Sequence, residues 1–372
     1  MSRPLVAYAD GPGSPRSAPA TVAAAVGLSD PEVLLGWTLD DRPWLADPAL
    51  RGTTVVPGYA LAGAVADGRL RYLPRRLSAM PRLLAELRPD VAVVAGVRRG
   101  TDIALTGSVG WARSLVHEAN AVVVEIDDEA PDLGGPRIDV QIAAVLDAPH
   151  AACSVSSRRP DDVDAAIARN VVSILPEDPT MQLGPGGIAD AIVEALDRPV
   201  RLWTGLLTDA MARLHERGLL DGQATAAYVW GDGPVRELAA RGRLRLTGIE
   251  ETHDLTLVSA IDRFVATNTA LQVGLDGSVN VERIGRRVVV GIGGHADFAA
   301  AAARSRGGVS VIAVRSTTSS GASTIVERVD VVSTPRCDVD VVVTEHGVAD
   351  LREADDCERA RLIAAIAAPE HR

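Results

Sequence analysis

The chain has 372 residues, 47% hydrophobic and 23% charged, with a net charge of −11, enough apolar material for a packed core and too much for global disorder. Its acidity disfavours nucleic acid or an anionic membrane as a partner, and no apolar run reaches the roughly 18 residues of a membrane span. All 38 basic residues are arginine, so a P-loop lysine, a pyridoxal Schiff base and a lysine nucleophile are excluded.

Residues 1–20, rich in Gly, Pro, Ala and Ser from Asp10 on, read as a flexible leading segment. They lack a basic start followed by an apolar stretch, so no secretory signal is visible. Short β-branched runs at 91–94, 121–126, 287–290, 309–314 and 340–343 predict strands covered on both faces. Helical patterns fall at 77–87, 111–119, 161–175, 188–196, 206–214, 299–303 and 357–366. Strands alternating with helices predict an α/β fold of mostly parallel sheets. Pro176 to Pro179 reads as a hinge, which divides the chain into an N-terminal half, 1–176, and a C-terminal half, 177–372. Cys153, Cys337 and Cys357 are far apart and form no C-x-x-C pair. No disulfide framework and no metal are expected, and a reducing cytoplasm fits.

One motif occurs twice. Residues 183–190 read LGPGGIAD and 290–297 read VGIGGHAD, each a G-x-G-G-x-A-D between an apolar and a helical stretch. Glycines allow a sharp turn and close backbone approach to a ligand, and the following helix start presents free N–H groups. Gly184, Gly186, Gly187 and Ile188 in the first loop, and Gly291, Gly293 and Gly294 in the second, are the candidate binding residues. They suit a phosphate, a pyrophosphate or a thioester oxygen. Both loops also fit the looser dinucleotide fingerprint G-x-G-x-x-A. In the second, Arg315 ends the next strand, where an NADP 2′-phosphate would sit. An NADP-dependent dehydrogenase is therefore one alternative, although about 80 residues after 291 are few for a whole dinucleotide domain.

The C-terminal stretch carries VATNTALQVGLDGSVNVERIG, VGIGGHADF, STIVERV and VVVTEHGVADLRE. With MQLGPGGIADAI at 181–192, it closely resembles the acetyl-CoA hydrolase / CoA-transferase family, which includes the 4-hydroxybutyrate and butyrate–acetate CoA-transferases. The resemblance covers roughly residues 50–372 and is most specific in about the last 110. It implies two related open α/β halves, a site between them, and coenzyme A as substrate or ligand. It also implies a glutamate nucleophile that passes through an acyl anhydride and a glutamyl-CoA thioester. The family's His-Thr-Glu-Met-x-Ser-Asp-Gly stretch matches Trp203 to Ala210 here, and Gly205 stands at the glutamate position. Trp203 replaces the histidine, and Pro185, Gly187 and Ala189 alter the first loop.

A glycine has no carboxylate, so the glutamyl mechanism cannot run from residue 205. His295 on the second loop can donate to a thioester oxygen or activate water. Glu345 reads as a positioning group or a displaced nucleophile. Glu250 and Glu251 beside His253 look catalytic but also fit a solvated loop, and Cys337 reads as packing. Two readings stand beside the dehydrogenase: an enzyme on acyl-CoA thioesters, and a non-catalytic CoA-binding or partner subunit of the same family. A homo-oligomer fits either.

Overall fold

The computed structural model describes residues 3–147 and 158–372; Cys153 lies outside the described residues. Contacts divide the chain into unit 1, residues 1–155 with 225–252, and unit 2, residues 156–224 with 253–372. These units differ from a division at 176/177. Helix Asp162–Ser173 belongs to unit 2 because its first-turn acids and its Asn170 are bound there. Arg315 Nε donates to Asp164 at 3.0 Å, and the Asn170 amide donates to the Thr344 carbonyl at 2.9 Å. Segment 225–252 returns to unit 1 through backbone bonds from Val109 and Gly110 N–H to the Ala227 carbonyl.

Unit 1 is built on strands β1 (Leu5–Tyr8), β2 (Glu32–Leu35), β3 (Gly52–Thr54), β4 (Leu70–Tyr72), β5 (Val91–Arg99), β6 (Asp102–Leu105), β7 (Ala121–Ile126) and β8 (Ala144–Asp147). Their order is β4-β3-β2-β1-β5-β7-β8, all parallel, with β6 antiparallel on β5. The first residues are therefore not a flexible leader. Val6, Ala7 and Tyr8 are wholly buried in a central strand, because an apolar run flanked by two neighbours satisfies both its side chains and its backbone. The Gly-Pro segment behind it is pinned as well: Arg16 and Ser17 N–H donate to the buried Glu125 carboxylate at 2.7 and 2.6 Å.

Unit 2 contains β9 (Thr180–Leu183) and β10 (Arg201–Thr208). After them β11 (Ala224–Trp230) and β12 (Leu244–Leu246), neighbours of one another, fall mainly in the returning segment of unit 1. Unit 2 resumes with β13 (Phe264–Asn268), β14 (Gln272–Gly274), β15 (Val279–Asn280), β16 (Arg283–Ile284), β17 (Arg287–Val288), β18 (Val309–Ala313), β19 (Ile325–Val326), β20 (Val341–Thr344) and β21 (Gly347–Asp350). The order β10-β9-β13-β18-β20 is parallel, and β21 closes the edge antiparallel. The α/β character and the parallel sheets match the expectation.

Two local expectations change. Residues 206–208 continue β10 instead of starting a helix. The helix starts at Asp209 because Thr208 Oγ1 accepts the Met211 N–H and caps it. Residues 287–290 are not a covered parallel strand: β17 pairs only with β16, antiparallel, in a hairpin whose exposed turn carries arginines. Among the described residues no helix is long and apolar enough to cross a membrane.

Candidate functional site

Parallel α/β sheets bind ligands outside the carboxyl ends of their strands, where the order reverses. In unit 2 the reversal lies between β9 and β13. From β9 the chain crosses through helix Gly187–Ala195 to β10 on one side; from β13 it crosses through helix His295–Ala302 to β18 on the other. A crevice of about 200 Å³ opens there, lined by residues 183–189, 267–269, Arg158, Asp164 and Arg315. The first glycine loop thus lies at the switch point of the sheet.

Its floor presents several donors beside the Asp164 carboxylate, which is paired with arginines. Gly186, at φ +127, starts the helix, and no side chain caps it. Its conformation lies in the region that favours glycine. Thr267 and Asn268 are 4% and 8% exposed, and Thr267 Oγ1 and Asn268 Nδ2 have no hydrogen-bond partner. Buried donors are rarely left unmade, because each costs about 1–3 kcal/mol. Unit 1 offers a contrast. Its loop after β1 also reads Gly-Pro-Gly, at 11–13, but there Gly13 N–H donates to Ser108 Oγ at 3.0 Å and Glu125 supplies an internal carboxylate. In unit 2 the buried Asp164 carboxylate lies beside Gly187 and is held by Arg158 and Arg315. Thr267 and Asn268 lie within the VATNTALQVG stretch that carries the family resemblance, but composition and spacing alone do not mark them as a site.

Arg315 does not wait for a 2′-phosphate. Its guanidinium bonds Asp161 at 2.6 Å and Asp164 at 2.7 Å, and this pairing holds the Asp161 carboxyl well below its usual range. The second loop follows a two-residue antiparallel strand, β17, and not the parallel strand a dinucleotide fingerprint needs.

The second loop, with Gly293 at φ +59 and Gly294 capping helix His295–Ala302, faces a different neighbour. His253 is 2% exposed, lies 4.6 Å from the Phe298 ring, and has its pKa lowered to about 3 by burial. A Cβ added at Gly294 would meet its Nε2 at 2.4 Å; one added at Gly205 would meet it at 3.1 Å and Phe298 at 3.3 Å. His253 therefore fills the space between Gly205 and the second loop. Trp203, on the same face of β10, packs half-buried against the Phe264–Phe298 cluster. Neither partner of Gly205 was visible from spacing, since His253 stands 48 residues away in sequence.

The other candidates are occupied. His295 Nε2 contacts the Thr269 carbonyl at 3.1 Å, so it carries the proton, and Nδ1 accepts from Thr334 Oγ1 at 2.8 Å. Desolvation lowers its pKa to about 4. Neither ring nitrogen remains for a thioester oxygen. His295→Ala should therefore cost about 1–2 kcal/mol in urea unfolding and leave any thioester hydrolysis rate unchanged; a 100-fold rate loss would restore it as an acid–base group. Glu345 accepts from Ser316 N–H at 3.0 Å and from Ser316 Oγ at 2.5 Å, a positioning arrangement. Glu250 and Glu251 lie in helix Ile249–Thr252 of unit 1, ion-paired to Arg113 at 3.6 and 3.3 Å. A larger surface pocket of about 250 Å³ in unit 1 includes Arg113, Arg137 and Arg245, but all three are paired with acids. Cys337 and Cys357 are free and exposed, so Cys337 is not buried packing. Among the described residues no group of three or more His, Cys, Asp or Glu is placed to hold a metal.

Residues 236–372 match the acetyl-CoA hydrolase/transferase C-terminal domain. The chain is 29% identical to the 4-hydroxybutyrate coenzyme A transferase of Clostridium kluyveri over 87% of this chain and 80% of that one. It is 27% identical to the butyryl-CoA:acetate CoA-transferase of Anaerostipes caccae, over 83% and 76%. Among solved structures, RipA from Yersinia pestis superposes with a TM-score of 0.88 at 22% identity, over 99% of this chain and 92% of that one. Both Gly-Gly loop residues His295 and Asp297 and the 340–351 segment lie inside the matched domain; the first loop and Gly205 precede it.

Proposed function

We propose that this family member binds an acyl-CoA thioester in the crevice of unit 2 and cannot pass it through a glutamyl intermediate at residue 205. The observation that carries the reading is the uncompensated donor set at the switch point: the uncapped helix start at Gly186, Thr267 Oγ1 and Asn268 Nδ2. Such donors suit a thioester or phosphate oxygen. The absence of a free carboxylate or imidazole among the candidates favours binding over transfer. Glu345 and His295 are bonded to neighbours, and position 205 has no side chain. The cytoplasm remains the proposed location, and a homo-oligomer or partner subunit the proposed assembly.

The test uses Gly184→Val. A side chain at Gly184 meets nothing within 4 Å and its backbone is not left-handed, so it fills the crevice without straining the fold. Valine at Gly294 would collide with His253 and test folding instead. Coenzyme A should raise the apparent melting temperature of the wild type, as a ligand of the native state must, and Gly184→Val should bind it at least about 10-fold more weakly. Equal affinity in the two proteins would remove the first loop from the site; no response of the wild type to CoA or acetyl-CoA would end the reading.

A further inference from the structure

The β16–β17 hairpin sits just before the second glycine loop. We infer that it is the subsite for the phosphate-bearing end of coenzyme A, an inference that rests on the acyl-CoA reading of unit 2. The hairpin carries Arg283, Arg286 and Arg287 within five residues, and 284–287 are exposed. Elsewhere in unit 2 many arginines are neutralised: Arg158, Arg304, Arg306, Arg336 and Arg352 each meet an aspartate. Among the described residues Arg286 and Arg287 meet none, and Arg283 Nε is buried without a hydrogen-bond partner. The one acid bonded at the turn is Asp330, whose carboxylate accepts the Gly285 N–H at 2.6 Å and fixes the turn to the segment beyond β19.

The hairpin is also fixed to the loop. Val289 and Val290 N–H both reach the Glu282 carbonyl, at 2.7 and 3.3 Å, so the chain leaving β17 is tied to the residue before β16. Arg287 is four residues from Gly291, at most about 14 Å of extended chain. This is a preorganised cationic arm beside a loop of small residues. A chain of net charge −11 repels a polyanion at long range, so a local cationic feature is needed to capture one. Arginine forks match phosphate oxygens bidentately. Coenzyme A is the ligand of the proposed site that carries phosphates, a 5′-diphosphate and a 3′-phosphate, on an arm extending away from the thioester.

The experiment is calorimetric titration of the full chain with coenzyme A, dephospho-CoA and pantetheine, for the wild type and for Arg286→Gln/Arg287→Gln. Both side chains are solvent-exposed, and urea unfolding of the double variant verifies that it folds. The expected result is CoA binding weakened about 10-fold or more, dephospho-CoA weakened less, and pantetheine unchanged. The salt dependence of CoA binding should flatten in the variant. CoA affinity equal in both proteins overturns the subsite alone. Loss of CoA and pantetheine binding by the same factor also overturns it, because the arginines would then act on the fold and not on phosphate. No CoA binding by the wild type overturns the acyl-CoA reading beneath it.

Discussion

Gly205→Glu should lower stability by about 1–3 kcal/mol and restore no acyl transfer. The direction of a side chain at 205 decides this. Its first carbon would already stand 3.1 Å from His253 Nε2, 3.2 Å from Cε1 and 3.3 Å from Phe298 Cε2, with His253 and Phe298 only 2% and 3% exposed. Overpacking a closed site costs about that much, and a carboxylate pressed among apolar rings is disfavoured further. Urea unfolding measures the first part. The second is measured by incubating the variant with acetyl-CoA, reducing with borohydride and weighing the peptides. No adduct on residue 205 is expected, nor on Glu250, Glu251 or Glu345 in the wild type. Gly205→Glu/His253→Ala should recover part of the lost stability, because the imidazole is the nearest obstacle. A single variant as stable as the wild type and carrying a glutamyl adduct would show that residue 205 opens onto a substrate.

Asp10→Asn should remove a fall in stability between pH 4 and pH 7. Asp10 is wholly buried in unit 1, and burial raises its pKa from 3.8 to about 7, opposed by the Tyr228 hydroxyl that donates to it at 3.0 Å. The folded state therefore keeps a proton that the unfolded chain releases. The stabilisation is complete below about pH 4 and is lost as pH rises through 7, with a slope of at most about 1.4 kcal/mol per pH unit. An amide keeps an oxygen for Tyr228 and never ionises. Unfolding the two proteins at pH 5 and pH 8 should show the variant gaining on the wild type by on the order of 3 kcal/mol between the two conditions. A constant difference would mean that Asp10 is ionised throughout. The buried imidazole of His253 works in the other direction: its lowered pKa favours folding above about pH 6.5, and that contribution fades as pH falls toward 3. Only the difference between the two proteins isolates Asp10.

The class of the fold and the position of the first loop were legible because they depend on local pattern. Runs such as 91–94, apolar on every residue, and 309–313, apolar on all but Ser310, are what a strand covered on both faces tolerates. G-P-G-G after Met181–Leu183 can hardly be anything but a strand-to-helix turn, and the structure puts it there. The same logic misread residues 287–290, where three valines suggested a core strand. The arginines around Gly285 turn that segment into a hairpin, and its glycine loop is only a partial counterpart of the first. The contact units depart from a division at 176/177 for a related reason. A proline-rich stretch marks a bend in the chain, but which unit a helix joins is set by long-range partners such as Arg315 and Thr344.

By itself the sequence determined the α/β class, the two glycine loops, the lack of a carboxylate at residue 205 and the likeness of residues 236–372 to the acetyl-CoA hydrolase/transferase C-terminal domain. Tertiary structure decided what surrounds them: His253 against Gly205 and Gly294, both nitrogens of His295 in use, and Thr267 and Asn268 as open donors at the switch point. The physical reason is range. Strand, turn and helix signals arise from neighbours a few residues apart, whereas occupancy of a site depends on side chains brought together across tens of residues by the packing of the sheet.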